Sequence, residues 1–173
     1  MLGLVRRITN ASVPTAKPPR SSVVKICLAC SPGGHLVEMQ RLMPAFDGKE
    51  YFFVTHKSEY SRHLERAYFI EYKEGYIRER VTWLKTIFIA LRIMLKERPD
   101  VVISTGGGEI AVPFCYVGKL LGAKVMFIET LARVTTRSGA GKLIYPIADL
   151  FLVQWELLLK KYGKKAQYWG KVI

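Results

Sequence analysis

The sequence predicts an α/β fold built on a doubly wound parallel sheet, and three observations carry that expectation. Short apolar runs near residues 23–30, 50–55, 67–71, 100–104, 124–129 and 150–154 alternate with stretches of helical periodicity, the rhythm of repeated strand–helix–strand units. The runs are close to continuously apolar, as expected of strands covered on both faces. Three of them end in glycine or a carboxylate: Cys30-Ser31-Pro32-Gly33-Gly34-His35, Ser104-Thr105-Gly106-Gly107-Gly108-Glu109 and Phe127-Ile128-Glu129-Thr130. Ligands of open parallel sheets bind outside the carboxyl ends of the strands, so these segments are expected to converge on one anionic ligand.

Taken in chain order, residues 1–22 are rich in Pro, Ser, Thr and Lys and read as a flexible basic arm. Arg6 and Arg7 interrupt its first apolar residues, so it does not read as a secretory signal and the chain is expected to stay inside the cell. Cys27 and Cys30 lie within the first apolar strand and Cys115 in another apolar run; all three read as reduced, packed thiols. Leu36, Met39, Leu42 and Met43 follow the first glycine turn at helical spacing, and Pro99 closes a long helical stretch before the strand at 100–104. That stretch, Tyr76 to Arg98, is apolar over more than one face and carries Arg78, Arg80, Lys85, Arg92, Lys96 and Arg98. Its longest uncharged run, Thr86 to Leu91, falls far short of the ~20 residues a spanning helix needs. Two readings remain open: a cationic amphipathic helix lying among lipid headgroups, with Trp83, Lys85, Ile87, Phe88 and Arg92 as contacts, or a crossover helix buried against the sheet.

The formal charge of +13 sits mostly at the ends. A basic surface attracts nucleic acid, anionic lipid or phosphorylated small molecules. Nucleic acid is disfavoured because the aromatic residues fall in strand-like runs and not among the basic clusters. Ser31-Pro32-Gly33-Gly34-His35 joins a strand to a helix, so free backbone N–H groups and the helix dipole would face a phosphate placed there. The dinucleotide fingerprint is absent, and Val54-Thr55-His56-Lys57 stands where a ribose-binding acid is expected. Ser138-Gly139-Ala140-Gly141-Lys142-Leu143 fails as a P-loop, having Thr136 for the first glycine and Leu143 for Ser or Thr. His35, in the first helical turn, is either a neutral base or a residue that donates a hydrogen bond to phosphate or caps the turn. Glu129, followed by Arg133 and Arg137, either pairs with those arginines or binds a sugar hydroxyl while they hold phosphate. Nothing in the pattern suggests a metal site.

The set Ser31-x-Gly33-Gly34-His35, Gly118-Lys119-Leu120-Leu121-Gly122, Glu129, Gly141-Lys142-Leu143-Ile144-Tyr145 and Phe151-Leu152-Val153-Gln154-Trp155 resembles a known family. It is similar to the membrane-associated subunit of the two-chain UDP-N-acetylglucosamine transferase of lipid-linked oligosaccharide synthesis, to bacterial polysaccharide-biosynthesis proteins of the PssD type, and more distantly to MurG-type enzymes. The resemblance implies the Rossmann-like, acceptor-side N-terminal half of a GT-B glycosyltransferase, here residues 23–166. It implies an inverting transfer from a UDP-sugar, bound mainly by a separate PssE-like donor-binding chain, to a lipid-diphosphate-linked saccharide at the cytoplasmic face of a membrane. His35 and Glu129 become the catalytic candidates. Ser31, Gly33, Gly34, Thr105, Gly106, Gly107, Arg133 and Arg137 become acceptor or phosphate ligands. The tail at 167–173, through Trp169, Val172 and Ile173, becomes the partner contact. No spanning helix like that of the eukaryotic subunit is read at the N-terminus, so attachment is expected to depend on the long basic helix, the arm and an anionic membrane surface. The alternative is a non-catalytic membrane scaffold that activates a partner transferase.

Overall fold

In the computed structural model, residues 23–71 and 76–172 are described, with backbone alone from 76 to 83. The basic arm, the side chain of Trp83 and Ile173 lie outside the described residues.

Seven strands form one parallel sheet: β1 (Lys25–Cys30), β2 (Glu50–His56), β3 (Ala67–Ile70), β4 (Val101–Gly106), β5 (Lys124–Ile128), β6 (Leu150–Val153) and β7 (Ala166–Tyr168). Their order is β3-β2-β1-β4-β5-β6-β7. The order reverses between β1 and β4, which makes their carboxyl ends the switch point. Six strands fall where the apolar runs place them. The seventh does not appear in the sequence pattern, and the boundary expected at residue 166 falls at its first residue.

Alternation along β1 shows how the two faces are filled. Ile26, Leu28 and Cys30 join one buried cluster with Leu36, Met39 and Leu42 of α1 (Gly34–Arg41) and its following turn. Cys27 and Ala29 point into the other cluster, beneath α2 (Tyr76–Glu97) and α3 (Gly108–Leu120). The period of two along a strand sends successive side chains to opposite layers. All three cysteines are free and buried, and burial pushes the Cys30 thiol up to about 12, so the Cys-x-x-Cys pair is packing and not redox chemistry.

Helix α2 makes the crossover from β3 to β4, burying Ala90, Ile93 and Met94. Its outer face leaves Leu84, Ile87, Phe88, Leu91 and Leu95 exposed, Phe88 to 72%, beside exposed Lys85 and Arg92. The crossover reading is therefore met on one face, while the other is apolar and exposed among the described residues. No described helix is long and apolar enough to cross a membrane.

The sheet's amino edge is braced by Asp149. Its carboxylate accepts from Lys119 Nζ at 2.7 Å and from the Val125 N–H at 2.8 Å, and Lys124 Nζ lies 3.4 Å away. Burial alone would raise this carboxyl, but Lys119, the Val125 N–H and Lys124 hold it below its ordinary value of 3.8. Replacing Asp149 with Ala should lower the unfolding free energy by about 1–3 kcal/mol near pH 7. The depressed group contributes fully above 3.8 and loses its contribution as pH falls through the lower folded value. Urea unfolding of native and variant chains should therefore converge in acid.

Candidate active site

The loops after β1 and β4 meet at the switch point, and their contact depends on missing side chains. A Cβ on Gly106 would lie 2.5 Å from His35 Cε1 and 2.7 Å from Nδ1; one on Gly107 would lie 2.5 Å from Ser31 Oγ. Both glycines also hold positive φ, 128° and 86°, where a side chain is strained. Thr105 Oγ1 donates to the His35 carbonyl at 2.7 Å, and the Ser31 N–H donates to the Gly106 carbonyl at 3.3 Å. Gly33, at φ 81°, caps α1. Seven expected residues, Ser31, Gly33, Gly34, His35, Thr105, Gly106 and Gly107, thus come together where the loops after β1 and β4 meet. Thr105 is fully buried with its hydroxyl committed to His35. His35 Nδ1 is buried and has no hydrogen-bond partner among the described residues.

Glu129 comes to the same end of the sheet but faces inward. It is 0% exposed. One oxygen accepts from the Thr130 N–H at 3.0 Å, and the other from the Ser138 N–H at 3.1 Å, the Ser138 hydroxyl at 2.9 Å and the Tyr162 hydroxyl. A Cβ on Gly141 would stand 2.5 Å from the second oxygen, which is why glycine belongs there. Burial and the facing carboxylate push the Tyr162 hydroxyl well above its ordinary range, so it stays a donor. The pairing with Arg133 and Arg137 considered from sequence does not form: Arg133 reaches Thr136 at 3.3 Å, and Arg137 lies 5.8 Å from the Tyr162 ring centre. Both arginines are exposed on the loop that Glu129 closes.

Sequence reasoning missed three polar residues here. Glu38, three positions after His35 on α1, is buried and accepts from Thr130 Oγ1 at 2.9 Å, the Leu131 N–H at 3.0 Å and Gln154 Nε2 at 3.2 Å. Burial raises its carboxyl; those donors and nearby His35 only partly offset this. Gln154, ending β6, is buried too. Glu109, in the first turn of α3, has Oε1 3.4 Å from His56 Nε2, while His56 Nδ1 bonds the Ile70 carbonyl at 2.8 Å. Burial raises the Glu109 carboxyl, but the bond to His56, its own N–H, and the charges of His56 and His35 hold it net below the ordinary value. A polar residue closing an apolar run, as in Leu152-Val153-Gln154, and an acid at i+3 from a candidate base were the signals available.

The expected partner residues divide. Val172 is 1% exposed and belongs to the α1-side core, against which Trp169 packs part-buried.

Comparison with known proteins gives a consistent result. The family described as "Oligosaccharide biosynthesis protein Alg14 like" matches residues 54–172. A Candida albicans protein named UDP-N-acetylglucosamine transferase subunit ALG14 is 31% identical across 96% of this chain and 87% of its own length. Among solved structures, Acinetobacter baumannii MurG superposes with TM-score 0.68 at 16% identity over 84% of this chain, and S. aureus MnaA, solved with UDP, with TM-score 0.69 at 14% identity over 87%. The chain spans about half of each, 44% and 46%. These likenesses establish the expected Rossmann-like α/β fold.

The buried contacts of Glu129 set a stability test. Glu129→Ala strands the Thr130 and Ser138 N–H groups and the Tyr162 hydroxyl, and should cost about 2–4 kcal/mol in urea unfolding, with Tyr162→Phe costing about 1 kcal/mol.

Proposed function

The chain belongs to the Alg14-like family of oligosaccharide biosynthesis proteins, and from that membership we propose that it is one subunit of a two-chain inverting glycosyltransferase. In this reading it holds a lipid-diphosphate-linked saccharide acceptor at the cytoplasmic face of a membrane. The observation that carries the reading is the crevice at the switch point, where the His35 ring lies against Gly106 beside the free N–H groups of the first turn of α1. The donor is a UDP-sugar, UDP-N-acetylglucosamine by analogy with the named relatives, and is bound mainly by a separate donor-binding chain, PssE-like if the product is a bacterial polysaccharide. No metal or cofactor is assigned to this chain.

The acceptor hydroxyl attacks the anomeric carbon of the donor, the bond to UDP breaks, and configuration inverts. The hydroxyl must lose its proton as the new bond forms, and His35 takes it. The α1 amides and the glycine loops face the acceptor diphosphate, with Arg133 and Arg137 adding positive charge from their exposed loop. Glu129 acts on that loop's shape and is a positioning residue. Contact with lipid falls to the outer face of α2, through Lys85, Ile87, Phe88 and Arg92, with Trp83 added from the sequence alone. Contact with the partner falls to the C-terminal segment through Trp169, Val172 and Ile173, with Val172 contributing by seating the segment.

A second reading, a scaffold that recruits and activates the partner, draws support from the internal engagement of Glu38 and Glu129. Turnover by the purified partner alone would favour it.

In the assembled complex, His35→Ala should reduce transfer by about 10²-fold or more with the circular dichroism unchanged; normal turnover would remove His35 from the chemistry. Exchanging Lys85 and Arg92 for Glu should cut co-flotation with anionic liposomes by about tenfold or more, since each basic residue near such a surface is worth about 1 kcal/mol.

A further inference from the structure

The C-terminal segment is tied into the crevice by a directional chain of hydrogen bonds. The Val172 N–H donates to Gln154 Oε1 at 2.7 Å. Across the same amide, Gln154 Nε2 donates to Glu38 Oε2 at 3.2 Å and to the Glu129 carbonyl at 3.0 Å. The other Glu38 oxygen accepts from the Leu131 N–H and the Thr130 hydroxyl. Gln154 is 1% exposed and Glu38 7%, so both side chains are shut off from bulk solvent.

Polarity fixes the arrangement. The Val172 group that faces Gln154 is an N–H, a donor only, so Gln154 turns its oxygen to the tail and its NH₂ to Glu38. Both Glu38 oxygens then accept, one from Gln154 and the other from Thr130 and Leu131. A parallel strut reinforces the first: Trp155 Nε1 donates to the Leu131 carbonyl at 2.7 Å, and Lys171 Nζ lies 3.6 Å from the Trp155 ring centre. Arg41, at the end of α1, the helix that carries His35, reaches the Val172 carbonyl at 3.4 Å. Residues 171–172 therefore grip both the loop after β5 and the helix bearing the candidate base.

We propose that Gln154 and Glu38 are positioning residues that make the geometry of the crevice depend on the seating of the C-terminal segment. A chain docking on that segment would stabilise the seated state and with it the loop at 130–138 and α1; by linkage, an acceptor held by that loop would strengthen the docking. This functional consequence rests on the two-chain transferase reading above, whereas the bracket itself is a property of this chain alone.

Amide hydrogen exchange on the full chain without partner tests the bracket separately from the activity. Gln154→Leu keeps the buried volume and removes all three of its side-chain bonds. It should speed exchange of the Val172 and Leu131 amides together by about tenfold or more, leaving β2 and β3 unchanged. Acceleration at Val172 with Leu131 unmoved would overturn the proposal, and so would uniform acceleration across the sheet. The polarity argument supplies a second variant. Gln154→Glu still accepts from Val172 but sets two carboxylates against each other, whereas Glu38→Gln combined with Gln154→Glu restores a donor facing an acceptor. The double variant should protect Leu131 at least about threefold better than the single one; equal exchange would reduce the pair to packing. In the assembled complex, Gln154→Leu should raise the acceptor KM several-fold more than it lowers kcat, and a fall in kcat alone would break the link to the acceptor. Absence of transfer by the native complex would defeat the transferase reading and leave the exchange result to decide the bracket.

Discussion

Two strand ends can share one crevice here only because Gly106 and Gly107 carry no side chains. The parallel order β2-β1-β4-β5 brings the loops after β1 and β4 side by side, but ordinary Cβ atoms would collide with the His35 ring and with Ser31. Moving either loop would break the Thr105 bond to the His35 carbonyl and the Ser31 bond to Gly106. The packing of the switch point and the orientation of His35 are thus one constraint seen from two sides.

A second consequence concerns the acids. An isolated buried carboxylate is unfavourable, and several donors are needed to hold it. Glu129 gathers the Thr130 and Ser138 N–H groups with the Ser138 and Tyr162 hydroxyls, and Glu38 gathers Thr130, Leu131 and Gln154. Each carboxylate fixes one part of the loop between β5 and α4 (Gly139–Ile144). That loop has little apolar content of its own and is exposed from Ala132 to Arg137, so its conformation comes from these two buried anchors. The exposed arginines are presented by a loop whose shape is determined elsewhere.

This division explains what the sequence made legible. Strand runs, glycine turns and the β1–β4 crevice depend on local composition and a general topological rule, and all were readable. Glu129 was recognisable as special, but its role depends on Tyr162, thirty-three positions away, which no local pattern connects to it. Gln154 sat in plain view in Val153-Gln154-Trp155 and carried no chemical signal until Val172 and Glu38 met on either side of it. β7 escaped because Ala166-Gln167-Tyr168 is only three residues long; its pairing with β6, and not its own propensity, makes it a strand.

Helix α2 shows where the demands of the fold stop. Its 22 residues extend about 33 Å, while the six residues of β4 cover about 20 Å. A crossover needs only enough helix to return along the sheet, and Ala90, Ile93 and Met94 meet that need. Leu84, Phe88, Leu91 and Leu95 lie on the opposite side, beyond any core contact, at 60%, 72%, 39% and 50% exposure. Scattered exposed leucines are ordinary, but a stripe at i, i+4, i+7 and i+11 flanked by Lys85 and Arg92 is a continuous apolar surface bordered by positive charge. No core contact among the described residues accounts for it. It lies on the outer face of α2, away from the glycine loops that meet at the sheet's carboxyl edge.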